Sequence, residues 1–313
     1  MKRVLIVCRY AKNIVTHISP FVEEQGKELV LQGCEVEYFF IKGGALAYLS
    51  NVRDLKKKIN EFKPDLIHAH YGLSGITAVL QNVVPVVITF HNGETLNKFV
   101  NFLSSLFSLR AKYIIYVAQH IYDKLYFKRK NRFTIMPCGV ILDEIDFVEY
   151  KRAREIVGFD ENKKYVLFGG AFSNLRKNYP LLKESLQYCE EKGIETIEMK
   201  GLNRKQVSML MCACDVFCLP SKSEGSPQAL KEAMACNAPI VATDIADIKH
   251  LLGGLDGHYI CEFDAENLAQ QIDKAISYRK DKIYTKGRER IIALGLDNKQ
   301  VVTNLMKIYD LVL

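Results

Sequence analysis

The chain has 313 residues, 49% of them hydrophobic and 25% charged, with a formal net charge of +7. These values exclude a disordered, fibrous or membrane-spanning class and suit two globular domains, each large enough for its own core. Nine cysteines, an odd count in a long chain, argue against a disulfide framework, and the modest positive charge suits an anionic substrate, an anionic membrane surface or nucleic acid without choosing among them.

Residues 4–8 form a short apolar run, which predicts a buried parallel strand. That run is too short for a signal peptide, so the chain is expected in the cytoplasm, with a peripheral place on the inner membrane face as a further option. A polar loop (9–20), a helix (21–32) ended by Gly33, a strand (35–41) and a basic amphipathic helix (53–62) follow. Residues 64–72 run from a strand into a loop, residues 74–80 are helical, and residues 84–90 are a strand followed by His91-Asn92-Gly93-Glu94. Two strands thus deliver His70 and His91 at their C-terminal ends, where open α/β sheets bind ligands. One histidine there is usually just a satisfied polar residue, but two at neighbouring strand ends point to a site.

Residues 96–109 predict an amphipathic helix rich in Phe99, Phe102, Leu103, Leu106 and Phe107, and 113–117 a strand. Residues 120–132 are basic and aromatic. A solvated helix end accounts for them; weak contact with an anionic membrane through Lys124, Lys128, Arg129 and Lys130 is the sharper alternative. No nucleic-acid motif accompanies the patch, so no nucleic acid is expected as a partner. The charged stretch 149–164 places the domain boundary at 148/149, giving segments 1–148, 149–297 and a terminal helix 298–313.

The second half opens with strand 165–169. Gly169 and Gly170 at its end, with Arg176-Lys177 before helix 180–190, suit a pyrophosphate: the glycines allow backbone approach and the side chains supply charge. Strand 195–200 and helix 204–212 follow. Cys212, Cys214 and Cys218 do not have zinc-ligand spacing, so buried thiols and no metal are expected. Residues 216–219 end a buried strand, and residues 221–243 then read as loop, helix, turn and strand. Ser226 is placed to cap the helix and Pro227 to occupy its first turn. Ala229, Leu230, Ala233 and Met234 make its apolar stripe, and Asn237 suits a left-handed C-terminal conformation. Glu224 lies in the loop and Glu232 on the helix away from the stripe. The amides of Gly225 and Ser226 lie between them, where phosphate is favoured. Either glutamate alone reads as an ordinary surface residue. A helix from 244–249, a strand at 258–261, an amphipathic helix at 265–278 and the terminal helix complete an alternation that predicts two doubly wound α/β domains.

The block 221–243 resembles the signature of family-4 retaining glycosyltransferases of the GT-B fold: Glu-Gly-x-Pro, a second Glu eight positions on, Ala-Met-Ala-Cys, then Pro-Ile-Val-Ala-Thr. Residues 64–72, 87–94, 136–140 and 166–178 are similar to further family segments, so the likeness runs through nearly the whole chain. Tyr10-Ala11-Lys12-Asn13 stands where the family often has Gly-Gly, Asn92 and Asn237 stand for Gly, Cys138 for Asn and Ala171 for Arg. The resemblance implies an N-terminal acceptor-binding domain and a C-terminal nucleotide-sugar domain, both Rossmann-like, facing a central cleft, with the terminal helix crossing back. It implies retaining transfer of a sugar from a UDP- or GDP-sugar donor to a lipid-linked or saccharide hydroxyl, in cell-surface polysaccharide or glycolipid synthesis.

The same resemblance assigns the diphosphate to Lys177, with Arg176, Gly169, Gly170 and the Gly225-Ser226-Pro227 turn. It assigns donor-sugar hydroxyls to Glu224, ribose hydroxyls to Glu232, and orientation of the reacting sugar to His91, with His70, Asn92 and Gly93 on the acceptor side. The chain has no Asp-x-Asp, so neither a metal nor another cofactor is expected. A nucleotide-sugar epimerase or phosphorylase on the same architecture would instead release free epimer or need phosphate. A non-catalytic nucleotide-sugar-binding partner would show no turnover.

Overall fold

The computed structural model describes residues 1–11 and 16–313. The chain divides into two compact units, Met1–Gly139 together with Asn298–Leu313, and Val140–Asp297.

The first unit is built on a six-stranded sheet: β1 (Arg3–Arg9), β2 (Glu35–Ile41), β3 (Leu66–His70), β4 (Val86–Phe90), β5 (Tyr113–Tyr116) and β6 (Phe133–Ile135). Their spatial order is β2-β1-β3-β4-β5-β6, and every pairing is parallel. Strand side chains alternate between faces, so β1 feeds two cores: Leu5 and Val7 join Leu55, Ile67 and Ile88, while Val4 and Ile6 join Val22, Leu29 and Val87. Burial on both faces is why β1 reads as a continuous apolar run, whereas β2 is half-buried and alternates with glutamates. The terminal helix Asn298–Val312 belongs to this unit, inserting Val302, Leu305 and Tyr309 into the second core. Strand β6 was not expected, because three half-buried residues at a sheet edge carry too little pattern. Within the basic stretch only Gln119–Lys124 is α-helical.

The second unit holds β7 (Tyr165–Phe168), β8 (Glu195–Glu198), β9 (Val216–Leu219), β10 (Ile240–Thr243) and β11 (His258–Cys261), in the order β11-β10-β9-β7-β8 and again wholly parallel. The boundary falls at Gly139/Val140 instead of 148/149, because Val140, Leu142 and Ile145 are buried in the second unit's core. The charged stretch taken for a linker contains the helix Tyr150–Val157. Glu149 caps it by accepting from Arg152 N at 3.0 Å, and buried Arg154 pairs with Asp215 at 3.1 Å. Eight of the nine free cysteines are buried and Cys138 is half-buried.

Each sheet reverses winding direction at its first strand. β1 has β2 on one side and β3 on the other; β7 has β8 on one side and β9 on the other. Loops leaving the strands on either side of such a point diverge and open a crevice at the C-terminal sheet edge.

Candidate functional site

In the second unit the crevice lies between the loops after β7 and β9. A Cβ on Gly169 would stand 2.7 Å from Leu219 Cδ1, and one on Gly170 would stand 2.8 Å from Lys177 Cγ. Gly169 thus lets β7 approach β9, and Gly170 leaves room for the Lys177 stem. The loop doubles back so that Lys177 Nζ donates to Glu224 Oε1 at 2.7 Å, and Lys222 N donates to Arg176 O at 2.9 Å. These two bonds tie the glycine loop to the signature loop. Arg176 itself is exposed. The two residues assigned separately to diphosphate and sugar are therefore one ion pair in this structure.

The helix of the signature block is Gln228–Ala235, and Pro227 occupies its N-cap with no side-chain capping bond. Ser226 is not the cap, and the amides of Gly225 and Ser226 lie in the turn before the helix instead of in its first turn. The Ser226 hydroxyl lies near the Asp247 carboxylate, but both are buried without a hydrogen-bond partner. Burial pushes Asp247 up, opposed by that hydroxyl and by the charge of Lys231, a fully buried lysine within the helix. Glu232 is mostly buried and sits 3.4 Å from Arg204 Nη2, while Arg204 Nη1 reaches Glu144 at 2.9 Å. Burial pushes the Glu232 carboxyl above the usual range, with Arg204 and Lys231 opposing. Asn237 takes the expected left-handed conformation at φ 53° and accepts from Arg288 N at 2.8 Å through its side chain.

In the first unit β3 and β4 bring His70 and His91 together, with His70 Nδ1 and His91 Nε2 3.0 Å apart. Burial pushes His70 down to about 3, so the ring is neutral near pH 7. His70 Nε2 is buried without a partner, which favours the proton on Nδ1, where it is donated to His91. The network continues inward. His68 stacks on His70 with ring centroids 4.4 Å apart and bonds Tyr309 of the terminal helix and Thr89, both at 2.7 Å. On its other side His91 meets Phe21 and Tyr71, each with a centroid distance of 4.8 Å.

Glu94, a buried carboxylate, accepts from Gly72 N at 2.7 Å and His91 N at 3.3 Å and so fixes the loop after β4 against the loop after β3. A cavity of about 470 Å³ lies alongside, lined by Arg9, Tyr10, Ser19, Tyr71, Gly93 and Glu94 among others. Of the acceptor-side residues, Gly93 lines this cavity, whereas His70 and Asn92 are buried. Asn92 stands at φ 88° and its side chain accepts from Thr95 Oγ1 at 2.8 Å, so it fixes the turn. Lys12 and Asn13 of the 10–13 segment lie outside the described residues.

Sequence reasoning missed Lys231, Asp247, Arg204 and Glu94. Each reads locally as a surface charge, and only a buried position in a polar loop or beside a glycine signature would have singled it out. Among the described residues, no three His, Cys, Asp or Glu side chains gather in a metal-binding arrangement, and no helix is long and apolar enough to cross a membrane.

Two parallel sheets with crevices at their switch points, one holding a Lys–Glu pair beside glycines, define a protein of two doubly wound α/β units. Residues 11–144 match the family described as Glycosyltransferase Family 4, and residues 154–277 match Glycosyl transferases group 1. The chain belongs to the family-4 glycosyltransferases, and its fold is GT-B. It is similar to TuaC of Bacillus subtilis, a glycosyltransferase named for teichuronic acid biosynthesis, at 25% identity over 72% of this chain and 64% of that protein. The chain thus spans less than two thirds of that relative's length. It is also similar, at 28% identity over 35% of this chain and 30% of the other, to the N,N'-diacetylbacillosaminyl-diphospho-undecaprenol alpha-1,3-N-acetylgalactosaminyltransferase of Campylobacter jejuni. The crystal structure of Anabaena HepE in complex with UDP-glucose superposes with a TM-score of 0.78 at 16% identity, covering 98% of this chain and all of that one.

Proposed function

We propose that this protein is a retaining, metal-independent glycosyltransferase that moves a hexosyl-type sugar from a UDP- or GDP-sugar to a hydroxyl of a lipid-linked or saccharide acceptor in polysaccharide biosynthesis. The observation that carries the reading is the Lys177–Glu224 pair at the switch point of the second sheet, with Gly169 and Gly170 clearing the approach. Lys177 would set its ammonium against the diphosphate as negative charge develops on the leaving group, the stabilisation that usually contributes most to such a reaction. Glu224 both holds Lys177 in place and offers an acceptor to donor-sugar hydroxyls. Glu232, oriented by Arg204, accepts from the ribose hydroxyls. His91, held by His70, orients the reacting sugar and forms no covalent bond, and the departing phosphate takes the acceptor proton. The names of the relatives above, one for teichuronic acid and one for a diphospho-undecaprenol acceptor, support the polysaccharide and lipid-linked readings.

The test begins with thermal shifts across a panel of UDP- and GDP-sugars, since a ligand that binds the folded state raises its melting temperature by mass action. The stabilising donor is then incubated with saccharide and polyprenyl-diphosphate acceptors in excess chelator, and the product anomer is read by NMR. Donor-dependent product of retained configuration is expected; an inverted product, or none without a divalent ion, overturns the reading.

A further inference from the structure

The helix Lys98–Ser108 turns a largely polar face inward, with Phe107 packed against the core near its C-terminal end. Its buried residues are Asn101, Ser104, Ser105 and Ser108, whereas Phe99 is 69% exposed, Phe102 43% and Leu106 39%. The three apolar side chains recur at helical spacing and form a ridge along the outer face. The cause is close helix contact. A Cβ on Gly72, at the start of helix Gly72–Leu80, would stand 2.5 Å from Ser104 Cβ, so only a small side chain fits where the two helices meet. Two of the serines are satisfied locally, Ser105 Oγ donating to Phe102 O at 3.1 Å and Ser108 Oγ to Ser105 O at 2.8 Å, while Ser104 Oγ is buried without a partner.

Buried Asn101 extends the ridge. Its Nδ2 donates to Lys124 O at 2.9 Å and its Oδ1 accepts from Tyr126 N at 3.4 Å. That bond pair fixes residues 124–127 beside the helix, and Phe102 meets Tyr126 and Phe127 edge-on at centroid distances of 6.3 and 5.4 Å. Lys98, Lys124, Lys128 and Lys130 are exposed on and beside these two segments, Lys128 Nζ also donating to Asp123 O at 2.5 Å, while the half-buried Arg129 guanidinium is held by the Ala111 carbonyl. Asp123 is the single acidic residue between positions 96 and 132.

From this arrangement we infer a membrane-docking face. The helix lies in the plane of an anionic lipid surface, Phe99, Phe102, Leu106 and Tyr126 enter the headgroup–acyl boundary, and the four lysines meet anionic headgroups. Charge selects this occupant: a second copy would bring lysines of like sign against each other, whereas an anionic bilayer offers apolar depth framed by complementary charge. The inference deepens the lipid-linked acceptor in the reading above, and its test uses no sugar transfer, so either can fail without the other.

The chain has no tryptophan, so Phe102→Trp is a single-site reporter. With vesicles of phosphatidylcholine and phosphatidylglycerol, its emission should shift to the blue and be quenched by brominated acyl chains, with a weaker response on pure phosphatidylcholine. Phe99→Ser with Leu106→Ser should lower vesicle partitioning by roughly tenfold or more at unchanged circular dichroism. Changing the four lysines to Ser should lower it by about fivefold per charge and remove most of the salt dependence. Unshifted, unquenched emission from both Phe102→Trp and the more exposed Phe99→Trp overturns the proposal. So does undiminished binding by the Phe99/Leu106 variant, and so does a blue shift without vesicles that tracks dimer formation in sedimentation, which would make the ridge a self-interface.

Discussion

Replacing Lys177 by Met separates its structural from its chemical role. Its side chain and that of Glu224 are 15% and 9% exposed and meet at 2.7 Å, so truncation leaves a nearly buried carboxylate without its counter-charge. Breaking such a pair costs about 3–5 kcal/mol, and the residual exposure of Lys177 favours the lower end, about 3 kcal/mol. For a unit of this size that lowers the melting temperature by roughly 6–12 °C. The double variant Lys177→Met/Glu224→Gln removes both charges and should recover most of the loss. Neither variant should recover transfer, because removing one preorganised charge from the developing leaving group costs on the order of 10²–10³ in kcat. Calorimetric melting and product chromatography with the donor found by thermal shift read both quantities. A single variant melting with the parent refutes the buried-pair argument, and a double variant with parental kcat refutes the diphosphate assignment.

Gly170→Ala would set a Cβ 2.8 Å from Lys177 Cγ, so the lysine must shift and kcat should fall by about a hundredfold with little change in melting temperature; equal activity would show that Lys177 placement is unimportant. Glu232→Ala should weaken donor binding by about 1.5–3 kcal/mol by calorimetry, and unchanged affinity would remove the ribose assignment. The same carboxyl, raised from 4.5 by burial, makes the folded state bind more protons than the unfolded one just above that value. Its stabilising contribution is therefore present below 4.5 and lost as pH rises through the raised folded value, a slope that Glu232→Gln should flatten in denaturation measured against pH. His91→Ala should lower kcat about a hundredfold while circular dichroism and nucleotide-diphosphate binding stay intact; near-normal kcat would make His91 a packed strand-end residue.

The two histidine-bearing strand ends, the paired glycines before Lys177 and the signature loop were legible because each is a local pattern read against a strand or helix period. Asn237 and Asn92 show why the family's glycines matter: both stand at positive φ, at 53° and 88°, where asparagine is tolerated better than most residues. Ser226 does not cap the helix, because the chain enters it through Pro227 and leaves the serine hydroxyl buried without a hydrogen-bond partner.

Alternating apolar runs and helical stripes in this sequence determined the wholly parallel sheets, since strands buried on both faces are mostly apolar and parallel neighbours must be joined by crossovers. Which elements share a unit was decided by tertiary packing. Val140 to the second core and Tyr309 to His68 of the first are contacts between distant positions, and apolar content alone does not say which of two cores a segment joins. The orientation of helix Lys98–Ser108 shows the same limit. Its periodicity announces two faces, but the glycine-to-serine approach of Gly72 to Ser104 turns a polar stretch inward, because close contact at that crossing leaves no room for a larger side chain.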